Sequence, residues 1–97
     1  MKVRVLRLAH SSMMEGFDFY EKQAEGLGFR FINSVMADIR SLSISGGGHQ
    51  IVHKGYHRKV CKDFPFSIYY KVEHSEINVY RVLDNRRDPQ LISEKLN

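Results

Sequence analysis

The stretches FSIYYKVE (Phe66–Glu73) and EINVYRVL (Glu76–Leu83), joined by the dipeptide His74-Ser75, decide the fold of this 97-residue chain. In both stretches apolar and polar side chains alternate, which is typical of a strand with one buried face. In the second stretch the alternation sets Ile77, Val79 and Arg81 against Asn78, Tyr80 and Val82. Two such runs around a short polar turn predict an antiparallel hairpin.

Two further strands and a closing helix are predicted around this hairpin. Lys2–Leu8 alternates β-branched and charged residues, which indicates a first strand. Tyr56–Asp63 is a second candidate, ended by Phe64-Pro65. After the hairpin, Pro89 can start a short last helix that runs to Leu96, because proline is favoured in the first turn of a helix.

Two amphipathic helices are predicted between the first two strands. Ser12–Glu15 fits a capping box, so the first helix should cover Met13–Gln23. Gly26–Gly28 ends the first helix. A second helical pattern runs from Leu27 to Leu42, and the segment Ser41–Gly48 ends it. The short join predicts an antiparallel helical hairpin. Its core side chains are expected to be Phe17, Tyr20, Phe31 and Val35.

The order β-αα-β-β-β-α therefore predicts an α+β fold in one domain, residues 1–97. The helical hairpin should pack on one face of a mostly antiparallel sheet, with the short C-terminal helix after it.

Composition excludes several classes of protein. The apolar fraction is 42% and the charged fraction 27%, which are ordinary globular values. The one cysteine cannot form an internal disulfide, and no apolar run approaches the roughly 20 residues that span a bilayer. The first residues carry charges too closely spaced for a secretory signal. We expect a cytoplasmic protein without membrane contact.

A basic strip lies between His49 and Lys62 in a chain of formal net charge +4. It contains Lys54, Arg58 and Lys59 as well as Lys62, no carboxylate, and three of the five histidines. Such a strip favours an anionic partner, either nucleic acid or an acidic protein. The alternative is a solvated strand face.

The histidines and the cysteine give no strong catalytic or metal-binding signal. His49, His53 and His57 lie four residues apart, but the neighbouring glycines argue against the helix on which that spacing would align them. Cys61 stands near Lys59, Lys62 and His57, and cations can activate a thiol. The expected role of Cys61 is that of a small buried apolar residue. We predict no metal and no cofactor.

RNA cleavage through the 2′-hydroxyl would need a base, an acid and cations for the phosphorane. His57, Tyr69 and Tyr80 are possible bases, but the sequence places none of them beside the arginines. Packing between strands is the favoured role of the two tyrosines. The available cations are Arg58, Lys59, Lys62, Arg81, Arg86 and Arg87.

Five short motifs occur in a characteristic order along the chain. In this order the chain resembles the RelE/ParE superfamily of small toxins from bacterial type II toxin–antitoxin pairs. The motifs are Tyr20-Glu21, Gly26–Phe31 (GLGFRF), Gly55–Lys59 (GYHRK), Phe64–Val72 (FPFSIYYKV) and Val82–Pro89 (VLDNRRDP).

The resemblance implies a helical hairpin on a curved antiparallel sheet and a cognate antitoxin that wraps the toxin. It also implies one of two targets. Members of the RelE branch cleave mRNA in the ribosomal A site, whereas members of the ParE branch block DNA gyrase and are not nucleases. A small-molecule substrate is not expected.

The chain departs from the RelE pattern at the positions that serve cleavage. Ser67 stands where the RelE branch has an arginine, and Leu91 and Ile92 stand where it has an aromatic residue or histidine. Only Arg86 or Arg87 matches a phosphate-stabilising arginine. The resemblance therefore favours a ParE-like plasmid-stabilisation toxin that binds gyrase. The alternatives are an mRNA endonuclease and a non-toxic basic module that binds nucleic acid.

The candidate site residues follow from the charge pattern and the resemblance. Weak catalytic candidates are Arg86, Arg87 and His57. The alternative for Arg86, Arg87 and Asp88 is a turn at the strand end, in which Asp88 pairs with an arginine and caps the helix behind Pro89. Leu6, Leu8, Met14 and Met36 are candidates for an antitoxin groove, since the predicted core needs them least. The full set predicted to contact target or antitoxin is Arg58, Lys59, Lys62, Arg81, Arg86, Arg87, Met14 and Met36.

Overall fold

A computed structural model describes all residues 1–97 of the chain. Five strands form one sheet in the order β1-β5-β4-β3-β2, in which β1 runs parallel to β5 and the other neighbours are antiparallel. The predicted α+β class with a mostly antiparallel sheet is confirmed. The elements are β1 (Lys2–Val5), α1 (Arg7–Gln23), α2 (Leu27–Ser45), β2 (Ile51–His53), β3 (Tyr56–Val60), β4 (Phe66–Glu73), β5 (Glu76–Asp84) and α3 (Pro89–Lys95).

The β4–β5 hairpin forms where its sequence pattern predicts. Its strands pair from Phe66 with Asp84 to Glu73 with Glu76. The two turn residues, His74 and Ser75, have φ values of 52° and 62°. Positive φ at both central positions is the geometry of a type I′ turn, whose twist matches that of the flanking strands. The hairpin is therefore fixed locally, and β5 extends one residue past its predicted end.

A β-bulge interrupts the hairpin and changes which side chains face the helices. Tyr69 pairs with Arg81 and Tyr70 with Val79, so Tyr80 is an extra residue on β5. Past the bulge, Val82 is buried in the helix-side core, and Arg81 lies on the other face of the sheet with Tyr69. The strict alternation predicted for Glu76–Leu83 is therefore wrong in its second half.

Helices α1 and α2 cover one face of the sheet and enclose the main core. An aromatic cluster lies at its centre, where Phe31 contacts Tyr20, Phe64 and Phe66 at ring-centroid distances of 4.8–5.3 Å. Gly16 on α1 permits this contact, because a Cβ there would lie 2.6 Å from the Phe31 ring. Phe17 is only half-buried, whereas Tyr20, Phe31 and Val35 are core residues as predicted.

The opposite face of the sheet, which we call the outer face, carries a second and smaller apolar cluster. It is formed by Tyr56, Tyr69, Leu83 and Leu96, with Tyr80 and Ile92 packed against it. Helix α3 thus lies across this face through Ile92 and through Leu96 at its end. Strand β4 is consequently buried on both sides, which explains why every residue from Phe66 to Tyr70 is buried.

The amino-terminal elements differ most from prediction. Strand β1 ends at Val5 rather than at Leu8, and the N–H of Leu6 donates to the carbonyl of Val79. Helix α1 then begins at Arg7 rather than at Met13. The Ser12 hydroxyl donates to the carbonyl of Leu8 within the helix, so the predicted capping box is wrong.

Three other boundaries also move. Helix α2 continues to Ser45, past the predicted end at Leu42. Strand β2 was not predicted, because it has only three residues and lies between the glycines at Gly46–Gly48 and the turn at Lys54-Gly55. It pairs with β3. Strand β3 stops at Val60 instead of Asp63. No helix has the length and apolar character required to span a membrane.

We predict that Phe31→Ala lowers the free energy of unfolding by about 3–5 kcal/mol, because it leaves a cavity in the main core. Phe29→Ala is the matched control, since Phe29 is 63% exposed and Phe31 is 0% exposed. Urea unfolding followed by circular dichroism measures both variants. Equal losses of stability in the two variants would contradict the position assigned to Phe31.

Candidate binding site on the outer sheet face

A cleft of about 370 Å³ lies on the outer face between β2, β3 and α3. It combines cationic and amide side chains with an apolar wall, and this mixture is characteristic of binding sites. Three of its lining residues were already candidates in the sequence analysis. Arg58 and Arg87 were predicted contact residues, and Tyr69 was a possible base. The lining residues are Val52, His53, Arg58, Tyr69, Asn85, Arg87, Pro89, Ile92, Ser93 and Leu96.

Arg58 is held in the cleft by two neutral partners. Its Nε donates to the hydroxyl of Ser67 at 3.0 Å, and its Nη2 donates to Oδ1 of Asn85 at 3.3 Å. Ser67 is 0% exposed, and its hydroxyl donates in turn to Oδ1 of Asn85 at 2.5 Å. Arg58 is therefore not the solvated strand-face cation of the alternative reading. Its guanidinium has a fixed place and no carboxylate partner.

The adjacent arginines after β5 face different surroundings. Arg86 forms a bidentate ion pair with Asp84, at 3.0 Å from Nε to Oδ1 and 2.7 Å from Nη2 to Oδ2. This pairing holds the pKa of Asp84 below its ordinary value. Arg87 lines the cleft and reaches Glu15 at 3.9 Å. Of the two, Arg87 is the one that belongs to the cleft.

Helix α3 is fixed at both ends over the outer face. The N–H of Gln90 donates to Oδ1 of Asp88 at 2.8 Å, and Pro89 occupies the first turn, so the predicted cap is confirmed. Asp88 forms no ion pair, contrary to prediction. Nε of Arg81 donates to the carbonyl of Lys95 at 3.2 Å and so holds the last turn.

The two tyrosines considered as bases are packed and protonated. Tyr69 is buried in the outer cluster, and burial raises its pKa. The hydroxyl of Tyr80 donates to Oε1 of Glu73 at 2.7 Å, which together with burial and charge raises the pKa of Tyr80 to about 12. Both phenols therefore keep their protons near neutral pH. Neither is suited to remove a proton from a ribose hydroxyl.

The three histidines of the basic strip lie at two different places. Nδ1 of His49 is 2.6 Å from the hydroxyl of Tyr70, and burial lowers the pKa of His49. His57 stacks on the Tyr70 ring at 5.0 Å and places Nδ1 2.7 Å from the carbonyl of His49. His53 instead lines the outer cleft. No three His, Cys, Asp or Glu side chains are arranged to hold a metal ion.

The other predicted contact residues are dispersed. Lys59 is half-buried on β3, and Lys62 is exposed, with its backbone N–H bound to Asp38. Met14 is exposed on α1, whereas Met36 packs against the main core. Their contacts with a partner stay predictions. Leu6 and Leu8 line a separate groove together with Arg81.

The sequence analysis did not nominate three polar residues of the cleft, which are His53, Asn85 and Ser93. His53 lies on the short strand that was not predicted, so nothing placed it near Arg58. Asn85 directly follows the last strand, and a polar residue at a strand end beside Arg86 and Arg87 was a usable signal.

Comparison with known proteins supports the fold. No family model matches the sequence, and no match was found among curated proteins. A solved structure described as the chromosomal ParDE TA system from P. aeruginosa contains a chain of similar fold, with a TM-score of 0.72 and 20% sequence identity. The match covers 84% of this chain and 92% of that chain. The fold that the resemblance implies is thereby confirmed.

We predict that Cys61 does not react in the folded protein. It is 6% exposed, and burial, with the nearby charge of Asp38, raises its pKa to about 12. Ellman's reagent at pH 8 should modify the unfolded protein rapidly and the folded protein far more slowly. Modification of the folded protein at the rate of a free thiol would restore Cys61 as a candidate nucleophile.

We predict an acid-sensitive contribution from the Asp84–Arg86 pair. Since folding lowers the pKa of Asp84, the pair stabilises the fold above the ordinary pKa near 3.8, and this contribution is lost as the pH falls through the lower folded-state pKa. Urea unfolding at a series of acidic pH values should therefore show a smaller acid loss for Asp84→Asn than for wild type. Asp18→Asn, at an exposed position outside any ion pair, should keep the wild-type slope.

Proposed function

We propose that this protein is the toxin of a bacterial type II toxin–antitoxin pair and acts in the cytoplasm, where a cognate antitoxin neutralises it. We further propose that it binds and inhibits a protein target such as DNA gyrase. The observation that carries the proposal is the fold match over 84% of the chain to a chain of a ParDE system. The strings Pro65–Tyr70 (PFSIYY) and Arg86–Pro89 (RRDP), which resemble the ParE branch, support the same conclusion.

The chemistry of the outer cleft supports binding rather than cleavage. The position that carries an arginine in RelE-like toxins is Ser67, whose hydroxyl is buried and fully engaged with Arg58 and Asn85. At the C-terminal position of the aromatic or histidine stand Leu91 and Ile92, which have no proton to transfer. A phosphorane in this cleft would lack the arginine that RelE-like toxins have at the position of Ser67, at a cost of about 3 kcal/mol or a hundredfold in rate.

Arg58 and Arg87 give the cleft a positive charge that suits an acidic surface of a protein target. The guanidinium of Arg58 is oriented by neutral partners, so its charge is not cancelled. A fixed, uncompensated charge favours recognition, because little side-chain freedom is lost when the partner binds. The apolar wall formed by Val52 and Ile92 adds surface that binding would remove from water.

The alternative function is a ribosome-dependent mRNA endonuclease, and one observation favours it. His53 lines the same cleft as Arg58 and Arg87. Imidazole is the side chain best suited to accept a proton near neutral pH, and the two arginines are cations for a phosphate. This places one candidate base beside two cations that the sequence alone could not bring together.

Induced expression in a bacterial host tests both functions. We predict growth arrest that is relieved by co-expression of the protein encoded beside this one. The purified toxin should inhibit DNA supercoiling by gyrase, and transcript ends should stay unchanged. Arg58→Ala and Arg87→Ala should each weaken inhibition about tenfold, because each removes a positive charge from the cleft.

The controls separate the outcomes. Arg30→Ala removes an exposed cation of α2 outside the cleft and should leave inhibition unchanged. Cleavage within translated codons that is lost in His53→Ala but kept in His10→Ala would establish the endonuclease instead. Growth without arrest at full expression of folded protein would refute the toxin assignment altogether.

A further inference from the structure

A second groove, separate from the outer cleft, lies where β1 ends and α1 begins. Its volume is about 400 Å³. Strand β1 pairs only with Glu76–Val79, so β5 continues beyond this point without a strand neighbour on that side. We call it the amino-terminal groove, and its lining residues are Leu6, Arg7, Leu8, Tyr56, Tyr80, Arg81, Lys95 and Asn97.

The groove has an apolar floor that is open to solvent. Leu8 is 49% exposed although it stands in the first turn of α1. Tyr56 and Tyr80 also line the groove and meet edge to face, with ring centroids 5.3 Å apart. Leucine and tyrosine side chains that line one groove provide a site for an inserted apolar side chain.

The charged groups around this floor are nearly all positive. Arg7, Arg81 and Lys95 line the groove, and no aspartate or glutamate side chain does. The nearest carboxylate described in contact with a lining residue is Glu73, which is engaged by the hydroxyl of Tyr80 and by the side-chain amide of Asn78. The groove is therefore complementary to a negatively charged partner.

The first turn of α1 strengthens this complementarity. The helix has 17 residues, its N-cap residue Leu6 makes no side-chain capping bond, and its first turn contains no acidic residue. Backbone N–H groups in an uncapped first turn are free donors, and the helix dipole favours an anion beside them. A carboxylate supplied by a partner would meet these donors and Arg7 together.

We propose that the amino-terminal groove binds an acidic, amphipathic segment of the antitoxin, with an apolar side chain between Leu8 and the tyrosines and a carboxylate at the first turn of α1. The proposal rests on the proposed function for the identity of the partner. The chemistry of the segment follows from the groove itself.

A nucleic acid fits this groove less well. Bases bind protein mainly by stacking on aromatic faces. The face of Tyr56 already holds an internal cation, since Nζ of Lys71 lies 4.4 Å from its ring centroid. Nζ of Lys71 is also 5.6 Å from the ring centroid of Tyr80. The ammonium of Lys71 therefore lies over one face of each ring, which leaves less aromatic surface for the stacking of bases.

The test uses the full chain labelled with ¹⁵N and a synthetic peptide in which glutamates and leucines follow a helical repeat. We expect amide shifts centred on Arg7, Leu8 and Tyr80. Leu8→Asp and Arg7→Glu should each weaken binding at least about tenfold, because they place a like charge against the peptide. An acidic residue in a first helical turn stabilises the helix, so the loss will not reflect unfolding.

Matched variants on the same helical hairpin serve as controls. Phe19→Asp changes an apolar residue of α1 that is 48% exposed, and Arg30→Glu changes an exposed arginine near the start of α2. Both lie outside the groove and should bind within about twofold of wild type, as expected for sites without shared contacts.

Several outcomes would overturn the proposal. These are no amide shifts, shifts centred elsewhere, equal loss of binding in Phe19→Asp, and equal binding of a peptide with lysine in place of each glutamate. Shifts at the groove with single-stranded DNA that exceed those of the peptide would assign it to nucleic acid. Because growth arrest is measured separately, failure here is distinguishable from failure of the toxin assignment.

Discussion

The burial of strand β4 on both faces is the constraint on which the rest of the structure depends. Phe66, Ile68 and Tyr70 enter the main core beneath the helices, while Ser67 and Tyr69 are covered on the outer face. A buried hydroxyl must keep its hydrogen bonds, because an unpaired one costs about 1–3 kcal/mol. The hydroxyl of Ser67 therefore bonds to both Asn85 and Arg58, and these bonds hold the polar side chains of the outer cleft in place.

The parts of the fold that depend on local pattern could be predicted from the sequence, whereas the bulge could not. The β4–β5 hairpin, helix α2 and the start of α3 follow from periodicity, a turn and a proline. Alternation continues unbroken through Tyr80, so nothing local marks the extra residue. The bulge is favoured by distant contacts, since it buries Val82 in the main core and brings Arg81 to the carbonyl of Lys95.

The same reasoning explains the errors at the amino terminus and in the site. The alternation of Lys2–Leu8 is consistent with a strand, but pairing with β5 ends with Val5 opposite Val79. Helix α1 then starts without a cap, because packing on the core substitutes for local signals. In the cleft, Arg58 and Asn85 are 27 residues apart, so only the folded chain shows that they are partners.

The arginines of the chain differ in whether a carboxylate compensates their charge. The position of an arginine in a sequence motif does not reveal this difference. The charge of Arg86 is compensated by the bidentate contact with Asp84, although Arg86 stands in the motif that resembles the toxin family. Arg58 is held just as firmly, but by a hydroxyl and an amide, so its charge remains available to a ligand. Ion pairing reduces the field that an arginine presents, whereas neutral hydrogen bonds fix its direction. The positive potential of the outer cleft therefore comes mainly from Arg58, with a smaller contribution from Arg87, which also reaches Glu15 at 3.9 Å. The fixed direction of the Arg58 guanidinium, as well as the net charge, then favours an anionic partner.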